Sequence, residues 1–90
     1  IDAVQNALAS AYDGARFVRV ASAEEAASTK MLDPEGLNGT NQLKLFVFGD
    51  AKAGQARLVA LLDNLGKGAS GAAVQNLNIM AGFDEGVGLL

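Results

Sequence analysis

The chain has 90 residues, 50% of them apolar and 19% charged, enough for one small domain. It carries a net charge of −3 with no cysteine and no histidine, which excludes disulfides, Cys/His metal sites, a cysteine nucleophile and a histidine base. No Lys/Arg cluster favours nucleic acid or an anionic membrane surface, and no apolar run approaches the ~20 residues of a membrane span.

So apolar a balance is high for a body that is mostly surface, and cover by something outside the chain is expected. Ile1 stands at the start in place of Met, as expected of a piece of a longer polypeptide. Ile1, Val4, Leu8, Ala11 and Tyr12 recur at helical spacing with Asp2, Gln5, Asn6 and Ser10 between them. This predicts an amphipathic helix over Ile1–Tyr12, stopped at Gly14. Phe17–Val20 (FVRV) reads as a short strand. Over Ala21–Thr29, Ser22 followed by Glu25 resembles a capping box, so a helical turn is open there. Asp33–Gly39 (DPEGLNG) is a loop with turn signals at Pro34, Gly36 and Asn38–Gly39.

Gln42–Phe48 (QLKLFVF) is the clearest strand. Leu43, Leu45 and Val47 fall on one face and Lys44, Phe46 and Phe48 on the other, so both faces call for cover. Asp50–Gln55 reads as a hairpin loop around Gly54, and Ala56–Leu62 as the returning antiparallel strand. A glycine-rich junction, Asp63–Gly71 (DNLGKGASG), leads into a helix over Ser70–Met80. Ala73, Val74, Leu77, Met80 and Ala81 share one face of that helix. Gly82, Gly86 and Gly88 mark a loose tail. The fold class is α+β, a small, mainly antiparallel sheet with helices on one face.

Gly66, Gly68 and Gly71 spell G-x-G-x-x-G between a strand and a helix, the local pattern of a dinucleotide-binding turn. Three absences argue against that reading. Only 19 residues follow Gly71, too few for a βαβ unit. Asp84 and Glu85 come too early to hold a ribose. No further strand is visible to receive the helix. A P-loop fails as well, because Gly68 stands where Ser or Thr is needed and Leu61 where the first glycine belongs. Two readings of the junction stay open. Its glycines serve packing alone, or they let backbone approach a ligand beside the helix N-terminus and Lys67.

Gln75, Asn76 and Asn78 form an amide cluster, either an exposed polar face or a contact to a polar ligand group. Asp63 and Asn64 either cap the turn or line a site. Glu24/Glu25 and Asp84/Glu85 read as solvated charge. Asp33 and Glu35 flank Pro34 with nothing to hold them as a catalytic pair. Thr40–Asn41 reads as the end of a turn. No catalytic residue and no metal ligand is assigned.

Leu58–Leu89 (LVALLDNLGKGASGAAVQNLNIMAGFDEGVGL) closely resembles the C-terminus of the N-acetyl-γ-glutamyl-phosphate reductases of arginine biosynthesis. The residues that carry the resemblance are Asp63–Asn64–Leu65, Lys67–Gly68–Ala69, Gly71, Ala73, Gln75–Asn76, Asn78, Gly82–Phe83, Glu85, Gly88 and Leu89. Upstream, Gly39–Thr40–Asn41 and Phe17–Val18–Arg19–Val20 are also family-like. The aspartate-semialdehyde dehydrogenases share a looser form of the pattern.

The resemblance implies that residues 1–90 are a single C-terminal fragment of a catalytic and dimerisation domain, part of a glyceraldehyde-3-phosphate-dehydrogenase-like C-terminal domain. The Rossmann domain, which would bind NADP(H), is absent from it. In the family a Cys attacks an acyl phosphate, and NADPH then delivers hydride to give the semialdehyde. The C-terminal helix returns toward the cofactor domain with its first turn near the nicotinamide. By that analogy Asn64, Gly68 and Gln75 are the candidates for the nicotinamide side. An acyl-phosphate substrate, a homo-oligomer and a cytoplasmic location are implied for the parent, and no activity for the fragment alone. The alternatives are an aspartate-semialdehyde or lysine-pathway reductase, or a non-catalytic interaction module.

Overall fold

The computed structural model describes residues 2–50 and 52–90. Ile1, placed above on the first helix's apolar stripe, and Ala51, in the hairpin loop, lie outside the described residues. Helix α1 spans Asp2–Ala11, and Val4 and Leu8 on its apolar stripe are half-buried. No residue of α1 is fully buried, and Tyr12 beyond it is 40% exposed. Gln5 ties the helix down by donating Nε2 to the Ala21 carbonyl at 2.8 Å. Gly14, at φ +76°, then turns the chain in the left-handed region that glycine tolerates.

Strand β1 spans Val18–Val20, behind the buried Phe17. Ser22 Oγ accepts from the Glu25 N–H at 3.1 Å and opens helix α2, Ala23–Ser28. The capping box is half-formed, because the Glu25 carboxylate pairs with Lys44. Strand β2 spans Leu43–Asp50 and β3 spans Gln55–Leu62, each within two residues of the expected bounds. Gly54, at φ +66°, sits in the turn between them.

The sheet order is β1-β2-β3. β2 and β3 pair antiparallel, from Leu43 opposite Leu62 to Asp50 opposite Gln55. β1 pairs parallel with β2, Val18 opposite Leu43 and Val20 opposite Leu45. The sheet is therefore mixed, which corrects the mainly antiparallel expectation. The cause is the connection through residues 21–42. It contains α2 and is long enough to carry the chain back to the same end of the sheet.

Phe17, Ala21, Ala26, Phe46 and Val47 form the apolar core. Phe46 and Val47 are neighbours on a strand and so point to opposite faces, yet both are buried. The centre of β2 is covered on both faces, as its two-faced pattern implies. The Phe46 and Phe48 rings stack with centroids 5.7 Å apart. β3 is more open, and Leu58 is 53% exposed. No helix among the described residues is long and apolar enough to cross a membrane.

Beyond β3 the chain makes a single π-helical turn, Gly66–Ser70, that runs straight into helix α3, Gly71–Ala81. Five-residue hydrogen bonds define the turn: the Gly68 N–H reaches the Asp63 carbonyl at 2.9 Å and the Ser70 N–H reaches the Leu65 carbonyl at 3.3 Å. Gly82, at φ +78°, ends α3 in a Schellman arrangement, with Gly82 N–H on the Ile79 carbonyl and Phe83 N–H on that of Asn78.

Two features of this end of the chain depart from expectation. Val74, Leu77 and Met80, which share one apolar face of α3, do not pack within this chain, and the polar residues opposite them were not expected to be the buried ones. The three apolar residues are 38%, 62% and 83% exposed. The buried residues of α3 are instead Gly71 and Asn78, with Gln75 half-buried between them. Steps of four and three place these three on one helical face. The tail is not loose either. Asn78 Nδ2 donates to the Glu85 and Val87 carbonyls at 3.1 and 2.9 Å, and the Asn41 N–H reaches the Leu90 carbonyl at 2.9 Å. The tail's glycines suggest freedom, but the donors that fix it lie elsewhere in the sequence.

Candidate functional site: an amide network at the strand-to-helix junction

The junction's glycines do not form a phosphate cradle. Gly71 has helical angles, φ −64° and ψ −42°, and neither Gly66 nor Gly68 is among the positive-φ glycines. The Gly68 and Gly71 N–H groups are spent on π-type bonds to the Asp63 and Gly66 carbonyls. The strand before the turn belongs to an antiparallel hairpin. The spelled G-x-G-x-x-G is thus a helical turn, consistent with the absences in the sequence.

Close approach is what the glycines provide. A Cβ on Gly71 would lie 2.3 Å from Asn41 Oδ1 and 2.7 Å from the Gly66 carbonyl oxygen. Asn41 is buried at 3% exposure, and its Oδ1 has no hydrogen-bond partner. That oxygen rests against the bare Gly71 α-carbon, a contact of the weak Cα–H···O kind. Its Nδ2 donates to Gln75 Oε1 at 3.0 Å. The same oxygen accepts from Lys67 Nζ at 2.5 Å, and Gln75 Nε2 donates to Glu85 Oε2 at 2.9 Å. One amide therefore joins the segment before β2, the junction and the tail.

Asp63 caps the turn, the first of its two open readings. Its Oδ2 accepts from the Gly39 N–H at 3.0 Å and its Oδ1 from the Leu65 N–H at 3.1 Å. The Gly39 N–H, then those of Leu65 and Gly66, hold the carboxyl below its ordinary pKa, against an opposing desolvation. Asp84 is lowered by the Gly86 N–H and then by Arg16, which pairs with it across the tail. Gly86 is buried beneath that guanidinium, which a Cβ would meet at 2.4 Å.

Of the three candidate residues, Asn64 and Gly68 come together: a Cβ on Gly68 would lie 3.3 Å from Asn64 Oδ1, and both residues are exposed. Gln75 lies behind them, on the inner face of α3, joined to the turn through Lys67. Asn76 is exposed. Asn41, read as the end of a turn, and Glu85, read as solvated charge, are members of the network, and Asn78 of the amide cluster is buried against the tail. A depression of about 220 Å³ borders the network, lined by Thr40, Asn41, Asp63, Ser70 and the tail residues Gly88 and Leu90, among others. Among the described residues no cluster of three or more Asp or Glu side chains could hold a metal.

No family model matches the chain. It is 51% identical over 89 residues to N-acetyl-gamma-glutamyl-phosphate reductase 2 of Nostoc sp., an alignment covering 96% of this chain and 28% of that protein. The chain matches the C-terminal part of the N-acetyl-gamma-glutamyl-phosphate reductases. The reductase of Burkholderia ambifaria is 50% identical over 86 residues, covering 96% of this chain and 27% of that protein. That of Brucella abortus is 58% identical over 71 residues, covering 79% and 23%. The chain thus spans little more than a quarter of the length of the curated reductases it matches. The junction, α3 and the tail described above are how this part of the chain folds.

Proposed function

We propose that these 90 residues are the C-terminal portion of an NADPH-dependent reductase that converts N-acetyl-glutamyl phosphate to its semialdehyde in arginine biosynthesis. The observation that carries the reading is 51% identity over 96% of the chain to a protein of that name. In this reading residues 1–90 form one piece of the catalytic and dimerisation domain of a cytoplasmic homo-oligomer, in a glyceraldehyde-3-phosphate-dehydrogenase-like fold. The Rossmann domain and the acyl-phosphate site lie elsewhere in the polypeptide.

NADPH, when bound, supplies the hydride. The helical geometry of Gly66–Gly71 does not suit pyrophosphate, and in the reductase reading this chain's share of the cofactor site is the nicotinamide side. Asn64 offers an exposed amide with both a donor and an acceptor, and Gly68, also exposed, lets that amide pack close against the turn. Gln75 serves the same site from behind. The exposed apolar face of α3, Val74, Leu77 and Met80, packs against the remainder of the polypeptide.

The chain has no cysteine and no histidine, so on its own it is expected to turn nothing over. The test is NADPH oxidation by the full polypeptide with N-acetyl-glutamyl phosphate, beside aspartyl phosphate and with the 90-residue chain as control. Turnover of the N-acetyl substrate by the full polypeptide alone supports the reading. Preference for aspartyl phosphate would move the assignment to the aspartate-semialdehyde dehydrogenases. Turnover by the short chain would contradict it.

A further inference from the structure

Gln75 sits between an ammonium and a carboxylate, and those two charges fix which way its amide points. Its oxygen accepts from Lys67 Nζ at 2.5 Å and from Asn41 Nδ2 at 3.0 Å, which fills both lone pairs. Its nitrogen donates to Glu85 Oε2 at 2.9 Å. The reversed amide would set N–H against the Lys67 ammonium and oxygen against the Glu85 carboxylate, so it is disfavoured at both ends. With its oxygen committed, Gln75 has no acceptor left for a ligand.

The consequence runs along the backbone. Lys67 immediately precedes Gly68, which lies against Asn64. The Lys67 side chain is held on the inner side by Gln75, with its ammonium 5.8 Å from the Phe17 ring centroid. Glu85, at the other end of the relay, is placed by Asn78, whose Nδ2 holds the Glu85 carbonyl at 3.1 Å. The tail therefore holds the Gln75 amide, Gln75 holds the Lys67 ammonium, and Lys67 adjoins Gly68 in the turn that presents Asn64.

We propose that Lys67 and Glu85 are positioning residues that act on the nicotinamide side through Gln75, without touching the cofactor. This rests on the reductase reading above. The test is steady-state kinetics of the full reductase polypeptide with KM for NADPH and kcat read separately. Glu85→Ala removes a charge-assisted hydrogen bond and is expected to raise the NADPH KM about tenfold, with kcat within about twofold. Glu85→Gln keeps an acceptor for Gln75 Nε2, and the rescue is expected to return KM to within about threefold of the unaltered protein. Lys67→Met should resemble Glu85→Ala, and the double variant should be no worse than either, since both act through one amide.

An unchanged NADPH KM in Glu85→Ala, or effects of Lys67→Met and Glu85→Ala that multiply, would overturn the proposal. If Glu85→Ala does not accumulate as folded protein, Lys67→Met against Glu85→Gln decides on the same readout: a raised KM in the first and a near-normal one in the second support the relay, and any other pair contradicts it. Wild-type activity separates the two levels. An unaltered polypeptide without turnover removes the reductase reading and the relay with it. Normal turnover with an insensitive KM removes the relay alone.

Discussion

The two faces of α3 invert the usual arrangement of a surface helix. Gly71, Gln75 and Asn78 turn inward, while Val74, Leu77 and Met80 turn out. Apolar burial drives most helix docking, yet here the inner contact is made of amides, a bare α-carbon and backbone carbonyls. Such a contact is specific in shape and in donor–acceptor pairing, so it tolerates little change. The outer face is exposed as it stands and carries the apolar area that a second body would cover. The contrast teaches that the inner face organises this chain, while the outer face contributes nothing to its packing.

Substitutions on the inner face should therefore cost most. Gly71→Ala would gain about 1 kcal/mol in helix propensity, since Gly71 has helical angles. Sterics decide against it, because the new methyl would sit 2.3 Å from Asn41 Oδ1 and 2.7 Å from a backbone oxygen. The expected net loss is about 3 kcal/mol in urea unfolding, and a stabilisation would show that the two segments separate freely. Asn78→Ala leaves the Glu85 and Val87 carbonyls without their donor, and should cost about 2 kcal/mol by the same measurement.

Asp63 gives a smaller, pH-dependent effect. Its folded pKa lies below the ordinary 3.8, so its stabilisation is present above that value and is lost as pH falls through the lowered one. Asp63→Asn should be less stable than the unaltered chain at neutral pH, with the gap closing on acidification below 3.8. A gap constant across that range would mean that the Gly39 and Leu65 N–H groups do not favour the ionised form.

Much of the fold was legible in the sequence because its signals are local. The alternation over residues 42–48, the glycine after α1 and the Ser22 cap all act within a few residues; the strand and the stop appear where they were expected, and the helical turn left open after Ser22 forms. The parallel pairing of β1 was not legible, since strand direction is set by the path of a 22-residue connection. The orientation of α3 was not legible for a related reason. Periodicity identifies an apolar face but not whether its cover lies within the same chain. Asn41 looked like the end of a turn, and only the fold brings it against Gly71 and Gln75. Asp63 was half-legible: an acid at a strand end before glycines suggests a cap, but its bond to Gly39 spans 24 residues.

The outer face of α3 offers the most direct test of the whole account. Leu77→Glu alters a side chain that is 62% exposed. In the 90-residue chain it should change stability by no more than about 0.5 kcal/mol. In the full polypeptide the same change would bury a charge against apolar neighbours, and the thermal unfolding midpoint should fall by several degrees. A large loss in the short chain, or an unmoved midpoint in the long one, would contradict the claim that this face is where the chain joins the rest of a reductase.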